Sequence, residues 1–297
     1  MSLVPELKRT KVLGGEIAYL DLGEGPAVLL LHGFPTSSFL WRREAWLLAQ
    51  RMRVIAPDLL GYGESDKAGD ADLSEPAQVG YVLELLDRLG IRELAVVGHD
   101  LGGAIAQMLA LDGGVEVQAL ILLDAACFDA WPTEPARRLR AVPPDRQTAV
   151  VAERAVRRSF AQGVAHHERL ADDAVHSYVR PWLANPAALF RAARAVTGKG
   201  LAGREADLAD LDMATLVIWG EEDPFLSADL AERLGEAILG SAVALLPGCS
   251  HFVTEDAPQT VGPLIYEYLR SRYLRETHAH AEPARMLLQP PTRGGPT

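Results

Sequence analysis

An α/β architecture, a mostly parallel doubly wound sheet interrupted by a helical insertion, follows from three features of the sequence. Short aliphatic runs alternate with amphipathic helix-forming segments between residues 27 and 123, the pattern of βαβ units whose strands are covered on both faces. The alternation stops over residues 125–212 and resumes at Thr215-Leu216-Val217-Ile218-Trp219. The turns that close the aliphatic runs are rich in Gly, Pro, His and Asp, and those turns are where open parallel sheets carry their sites.

The elements follow in order. Residues 8–12 and 16–20 flank Gly14-Gly15 and read as a hairpin that opens the sheet. Ala27-Val28-Leu29-Leu30-Leu31 is apolar throughout, as a strand buried on both faces should be. It runs into His32-Gly33-Phe34-Pro35-Thr36-Ser37-Ser38 and an aromatic-rich amphipathic helix expected over 39–50. A strand at 53–56 leads into the turn-rich loop Pro57-Asp58-Leu59-Leu60-Gly61-Tyr62-Gly63-Glu64-Ser65-Asp66. A helix over 75–89 precedes the strand that ends at Val96-Val97-Gly98-His99, and Leu101 opens the next helix. After a strand at 119–123, the segment 125–212 is rich in Ala and Arg and broken by Pro132, Pro135, Pro143, Pro144, Pro181 and Pro186, which predicts several short helices. Its arginine-rich faces read as solvated, and no ligand is assigned to them. Strands at 215–219 and 242–246 and a helix over 258–274 complete the sheet. The domain expectation is a core of 1–124 and 213–275, a helical cap of 125–212, and a disordered tail of 276–297. His278 and His280 lie in that tail with no further ligands beside them, so they define no metal site.

Composition narrows the function. The 297 residues, 48% hydrophobic and 23% charged, are enough for one substantial core. A net charge of -11 disfavours nucleic acid as a partner. Cys127 and Cys249 form neither a disulfide framework nor a metal-ligand pattern and read as buried thiols of a cytoplasmic protein. With no apolar run of about 18 residues and no apolar core in the first ten, neither membrane nor export is expected. No cofactor or metal is expected either, and the oligomeric state stays open.

The chemistry centres on Gly98-His99-Asp100-Leu101-Gly102, the spacing of a nucleophile elbow with aspartate at the position of the usual serine. A carboxylate at a helix N-terminus is stabilised as an anion. It displaces a leaving group from saturated carbon and leaves an ester on the enzyme. Gly220-Glu221-Glu222-Asp223-Pro224-Phe225 and Pro247-Gly248-Cys249-Ser250-His251-Phe252 follow later strands and open onto the same sheet edge. The order nucleophile, acid, base assigns Asp100 as nucleophile, Asp223 as the acid that orients the imidazole, and His251 as the base that activates water. Asp124, ending the preceding strand, is the alternative acid. The backbone N–H groups of Phe34 and Leu101 are the expected anion hole. His32 and His99 read as structural.

Over roughly residues 5–275 these features resemble the α/β-hydrolase superfamily, and the aspartate elbow resembles its haloalkane dehalogenase and epoxide hydrolase branch. The stretches His32-Gly33-Phe34-Pro35-Thr36-Ser37-Ser38-Phe39-Leu40-Trp41-Arg42, Ala56-Pro57-Asp58-Leu59-Leu60-Gly61-Tyr62-Gly63-Glu64-Ser65-Asp66-Lys67 and Thr254-Glu255-Asp256-Ala257-Pro258 are similar to dehalogenase sequence. The resemblance implies an eight-stranded, mostly parallel sheet with a helical cap, a small apolar electrophile as substrate, and hydrolysis of a carbon–halogen bond, or of an epoxide to a diol. It also exposes departures. Dehalogenases typically carry tryptophan where Leu101 stands, and many carry asparagine where Phe34 stands, so the halide donor would be a cap indole, Trp182 or Trp131. Epoxide hydrolases usually offer two cap tyrosines, and this cap has Tyr178 alone. Fluoroacetate dehalogenases need an arginine near Leu101, and none is present. A non-catalytic binding protein on the same scaffold is the alternative of another class, and a serine esterase would need a hydroxyl at position 100.

Overall fold

Aliphatic segments too short to hide themselves bury each other best as neighbouring strands. In the computed structural model, which describes residues 6–67 and 69–274, they form one eight-stranded sheet. β1 (Lys8–Val12) and β2 (Gly15–Leu22) make the expected hairpin. β3 (Ala27–Leu31), fully buried, is followed by a short helix α1 (Glu44–Leu48), then β4 (Arg53–Pro57), α2 (Glu75–Arg88), β5 (Glu93–His99), α3 (Leu101–Asp112) and β6 (Glu116–Leu123). The insertion holds α4 (Glu134–Arg140), α5 (Ala149–Gly163), α6 (Asp172–Leu183) and α7 (Pro186–Ala195). β7 (Ala214–Gly220), α8 (Asp229–Ala237), β8 (Ala242–Leu246), α9 (Val253–Asp256) and α10 (Pro258–Arg272) finish the described chain. The strand order is β1-β2-β4-β3-β5-β6-β7-β8, with β2 antiparallel to its neighbours and every pair from β4 to β8 parallel.

This order makes the sheet a platform. The chain leaves at the end of β6 and returns in β7, its direct parallel neighbour, so the insertion rises from one sheet edge without disturbing the ladder. The turns after β3, β5, β6, β7 and β8 therefore meet at one end of the sheet, beneath it.

The single helix expected over 39–50 is instead a 3-10 turn at Ser38–Trp41 followed by α1. The Ser37 hydroxyl caps the turn at the Phe39 N–H and Asp58 Oδ1 takes the Ser38 N–H, while Arg42 and Arg43, at the break, reach out to Glu255 on α9. These tertiary hydrogen bonds override the amphipathic pattern. Cys127 and Cys249 are buried and unpaired. No described helix is long and apolar enough to cross a membrane. The tail expected at 276–297, with His278 and His280, lies outside the described residues.

Candidate active site

Asp100 stands where β5 turns into α3 and takes φ 51° and ψ -119°, a region that side chains other than glycine's avoid. The turn closes because its flanks carry no Cβ. One on Gly98 would sit 2.3 Å from the Gly102 carbonyl oxygen, and one on Gly102 would sit 2.2 Å from that of Leu31. Such a strained backbone, costing about 1–3 kcal/mol, persists only where the surroundings hold it. Here the Asp100 N–H donates to the Leu123 carbonyl, and the Asp100 carbonyl accepts from Gly103, Ala104 and Ala126.

The carboxylate is buried beneath the insertion. Oδ1 accepts the Phe34 N–H at 2.8 Å, and the Leu101 N–H at the helix start also bonds the group, so both expected anion-hole donors face it. Burial pushes the Asp100 carboxyl above its ordinary value, and the facing His251 charge and these two N–H groups oppose the rise.

His251 follows β8, with Nδ1 2.8 Å from Asp223 Oδ2 and Nε2 3.7 Å from Asp100 Oδ2. Burial alone would lower its pKa, but the charge and hydrogen bond of Asp223, with Asp100, raise it overall. Asp223 Oδ1 accepts from the N–H groups of Phe225 and Leu226 at 2.7 and 3.0 Å, which fixes the carboxylate. Asp124, also left-handed at φ 40°, does not hydrogen-bond His251. Its Oδ1 takes the Gly220 N–H at 2.8 Å and its Oδ2 has no partner among the described residues. Burial, reinforced by the nearby Asp223 charge, pushes the Asp124 carboxyl well above its ordinary value.

The two other buried histidines are spoken for. His32 Nε2 accepts the Leu59 N–H, so Nδ1 carries the proton donated to the Gly33 carbonyl. His99 Nε2–H donates to the His251 carbonyl at 2.9 Å and props up the loop that carries His251. Burial lowers the pKa of both, that of His99 well below the ordinary value.

The insertion departs from expectation at all three donors. The Tyr178 hydroxyl donates to Glu255 Oε1 at 2.5 Å and accepts from Arg42, because a buried carboxylate attracts it more strongly than an apolar cavity can. The Trp182 indole N–H is committed to the Pro35 carbonyl at 3.1 Å. Trp131 packs over Gly198, and its indole nitrogen finds no acceptor among the described residues. None of the three lines the cavity over Asp100, whose wall is formed by Phe34, Pro35, Thr133, Pro135, Ser159, Phe225 and Phe252 around Asp100 and His251. Its polar side chains from the insertion are Thr133, at the N-cap of α4, and Ser159, whose hydroxyl donates to the Ala155 carbonyl. Both escaped the sequence reading, since neither belongs to a motif. The cavity measures about 10 Å³, room for roughly one water. No described group of His, Cys, Asp and Glu side chains is arranged to hold a metal ion.

An aspartate elbow, a histidine and an orienting carboxylate at the ends of β5, β8 and β7 belong to one class of architecture. Residues 26–258 match the family model described as the alpha/beta hydrolase fold, and the chain belongs to that family. It is 29% identical to haloalkane dehalogenase 2 of Mycobacterium bovis over 85% of this chain and 91% of that one. It is 30% identical to a 2-hydroxymuconate semialdehyde hydrolase of a Pseudomonas species over 89% of this chain and 94% of that one. Among solved structures it is similar to a haloalkane dehalogenase loop variant from Bradyrhizobium elkanii, with a TM-score of 0.77, 25% identity, and coverage of 93% of this chain and 99% of that one.

Proposed function

We propose that the protein hydrolyses a small electrophile through a covalent ester on Asp100, with a carbon–halogen bond as the bond broken. One observation carries this reading. His251 Nε2 stands 3.7 Å from Asp100 Oδ2, beyond hydrogen-bonding distance, whereas its other nitrogen is held at 2.8 Å by Asp223. A serine nucleophile needs its base in direct contact to lose a proton, but a carboxylate is already the nucleophile. The base is then needed only for the water of the second step.

In the first step Asp100 Oδ2 attacks the carbon and the halide departs with the bonding electrons, leaving an alkyl ester. His251 next takes a proton from water, whose oxygen attacks the ester carbonyl carbon. The developing oxyanion on Oδ1 is held by the Phe34 and Leu101 N–H groups. Collapse breaks the new carbonyl carbon's bond to the alkoxy oxygen, which leaves as the alcohol with the proton from His251, and the carboxylic acid left at Asp100 releases the second proton of the water to solvent, restoring the carboxylate. Asp223 stabilises the imidazolium between these transfers. The dehalogenase relatives favour halide as leaving group. The Thr133 hydroxyl on the cavity wall, which makes no capping hydrogen bond to α4, favours a second reading, ring opening of an epoxide, because a hydroxyl can donate to the alkoxide that forms.

The intact mass of His251→Ala protein tests both after separate exposure to a bromoalkane and a terminal epoxide. Without its base the enzyme forms the ester and does not clear it. An alkyl adduct on Asp100 supports dehalogenation and a hydroxyalkyl adduct supports epoxide opening. Absence of both adducts, with no turnover by the wild type, removes the reading.

A further inference from the structure

The cavity over Asp100 does not end at its wall. Pro135, Ser159 and Phe225 also line a second chamber of about 310 Å³ between α4 and α5, at the small end of ligand-site volumes. Its α5 side consists of Val151, Arg154, Ala155, Arg158, Ser159 and Gln162, spaced three and four residues apart along one helix face. Arg154 and Arg158 are exposed to solvent and make no ion pair among the described residues, in contrast to Arg157, which is taken by Glu153 and Asp172. The acidic residue of the chamber, Glu134, is neutralised by Arg137 and Arg138, with Arg138 itself on the wall. The chamber is thus a positive spot on a chain of net charge -11, next to the nucleophile. Leu139 and Val142 supply an apolar flank.

Resting on the assignment of Asp100 as nucleophile, we propose that this chamber binds an anionic group and that the preferred substrates are aliphatic carboxylates whose reacting carbon lies at the far end of the chain. The carboxylate sits between Arg154 and Arg158, which can each offer a forked pair of N–H donors. The aliphatic stem lies along Leu139 and Val142. The reacting carbon passes Phe225 and Pro135 to reach Asp100, in a space too small for a whole substrate. The arginine-rich face that the sequence suggested was merely solvated becomes the specificity element, with no arginine beside Leu101 required.

The test compares 6-bromohexanoate with 1-bromohexane on wild type and on the double variant Arg154→Gln, Arg158→Gln. Both positions are exposed, so the fold should survive, and a melting curve checks it. Wild type is expected to favour the carboxylate by about tenfold or more in kcat/KM. The variant is expected to lose that preference while turnover of 1-bromohexane stays within about threefold. Equal preference in the two proteins overturns the proposal. Calorimetry with hexanoate, which has no leaving group, decides the chamber independently of the chemistry. Tighter hexanoate binding to wild type than to the variant supports it even when neither bromide is turned over, a result that would sink the role of Asp100 instead. Equal hexanoate binding, or bromide ion binding as tightly as hexanoate, overturns it.

Discussion

Two buried acid pairs in this molecule are built alike and serve different ends. At the sheet edge Asp223 is fully satisfied, by two backbone N–H groups and His251, while its neighbour Asp124 keeps one oxygen without a partner. At the seam between α1, α6 and α9, Glu255 is satisfied by Arg42 through both Nη atoms, by Arg43 and by Tyr178, while its neighbour Glu44 has no side-chain partner on either oxygen. In each pair one carboxylate collects the donors and its neighbour is pushed up. Burial, then the neighbour's charge, drives Asp124 well up, and burial with Glu255 beside it pushes Glu44 up to about 7. The difference lies in the donors. At the sheet edge the donors are backbone groups and a histidine, whereas at the seam they are guanidinium groups of the core joined by the Tyr178 hydroxyl, which ties the insertion to them.

The largest expected effect separates the two pairs. Asp223→Asn keeps the acceptor for the Phe225 and Leu226 N–H groups but removes the charge behind His251, so turnover is expected to fall by about 10³ to 10⁴. Because Asp223 raises the pKa of His251, and the base works when neutral, the acid limb of any residual activity should move to lower pH. Asp124→Asn, which keeps an acceptor for the Gly220 N–H, should leave turnover within about tenfold. A reversal of those two outcomes, measured as steady-state rates, would transfer the acid role to Asp124.

At the seam the effects fall on stability. Arg42→Ala leaves Glu255 buried beside Arg43 and Tyr178 alone, and breaking such a buried pair costs about 3–5 kcal/mol. Chemical denaturation should register the loss, with turnover per folded molecule little changed. Glu44→Gln should act in the opposite direction. The folded pKa of Glu44 is raised to about 7 from an ordinary 4.5, so the penalty on the folded state is absent below about pH 4, grows as pH rises, and is complete above 7. Removing the ionisable group is then worth about 3 kcal/mol at pH 8 and nothing at pH 4. Melting temperatures of the two proteins that stay parallel across that range would show Glu44 to be solvated by some other group.

The same contrast explains what the sequence could reveal. The elbow was legible because Gly98, Asp100 and Gly102 are local, and a backbone that needs positive φ and missing Cβ atoms announces itself in four residues. β3 was legible because a strand buried on both faces has to be aliphatic from end to end. Asp223 and His251 were legible because parallel strands deliver the turns that follow them to one edge. Arg42 and Glu255, 213 positions apart, carry no local signal of their pairing, so the amphipathic pattern alone runs a helix straight through Arg42. The insertion was harder still. Whether Trp182 donates to Pro35 or to a substrate depends on how α6 settles on the core, and no spacing within α6 encodes that.

Tyr178 is where the two regions can be told apart most finely, since the resemblance to epoxide hydrolases implied a pocket donor there and the structure places its hydroxyl on Glu255. Tyr178→Phe removes one of four donor contacts to a carboxylate that retains both guanidinium groups. The expected cost is about 1–2 kcal/mol of stability, with turnover of either substrate class within about threefold. The ring itself stays packed against Phe160 and Phe39, so the variant isolates the hydroxyl. Rates on an epoxide and a bromoalkane, taken beside a denaturation curve, read the two effects separately. A hundredfold loss on the epoxide with unchanged stability would mean that the hydroxyl leaves Glu255 when substrate enters. The seam would then be part of the active site, with the lock between insertion and core opening in each turnover.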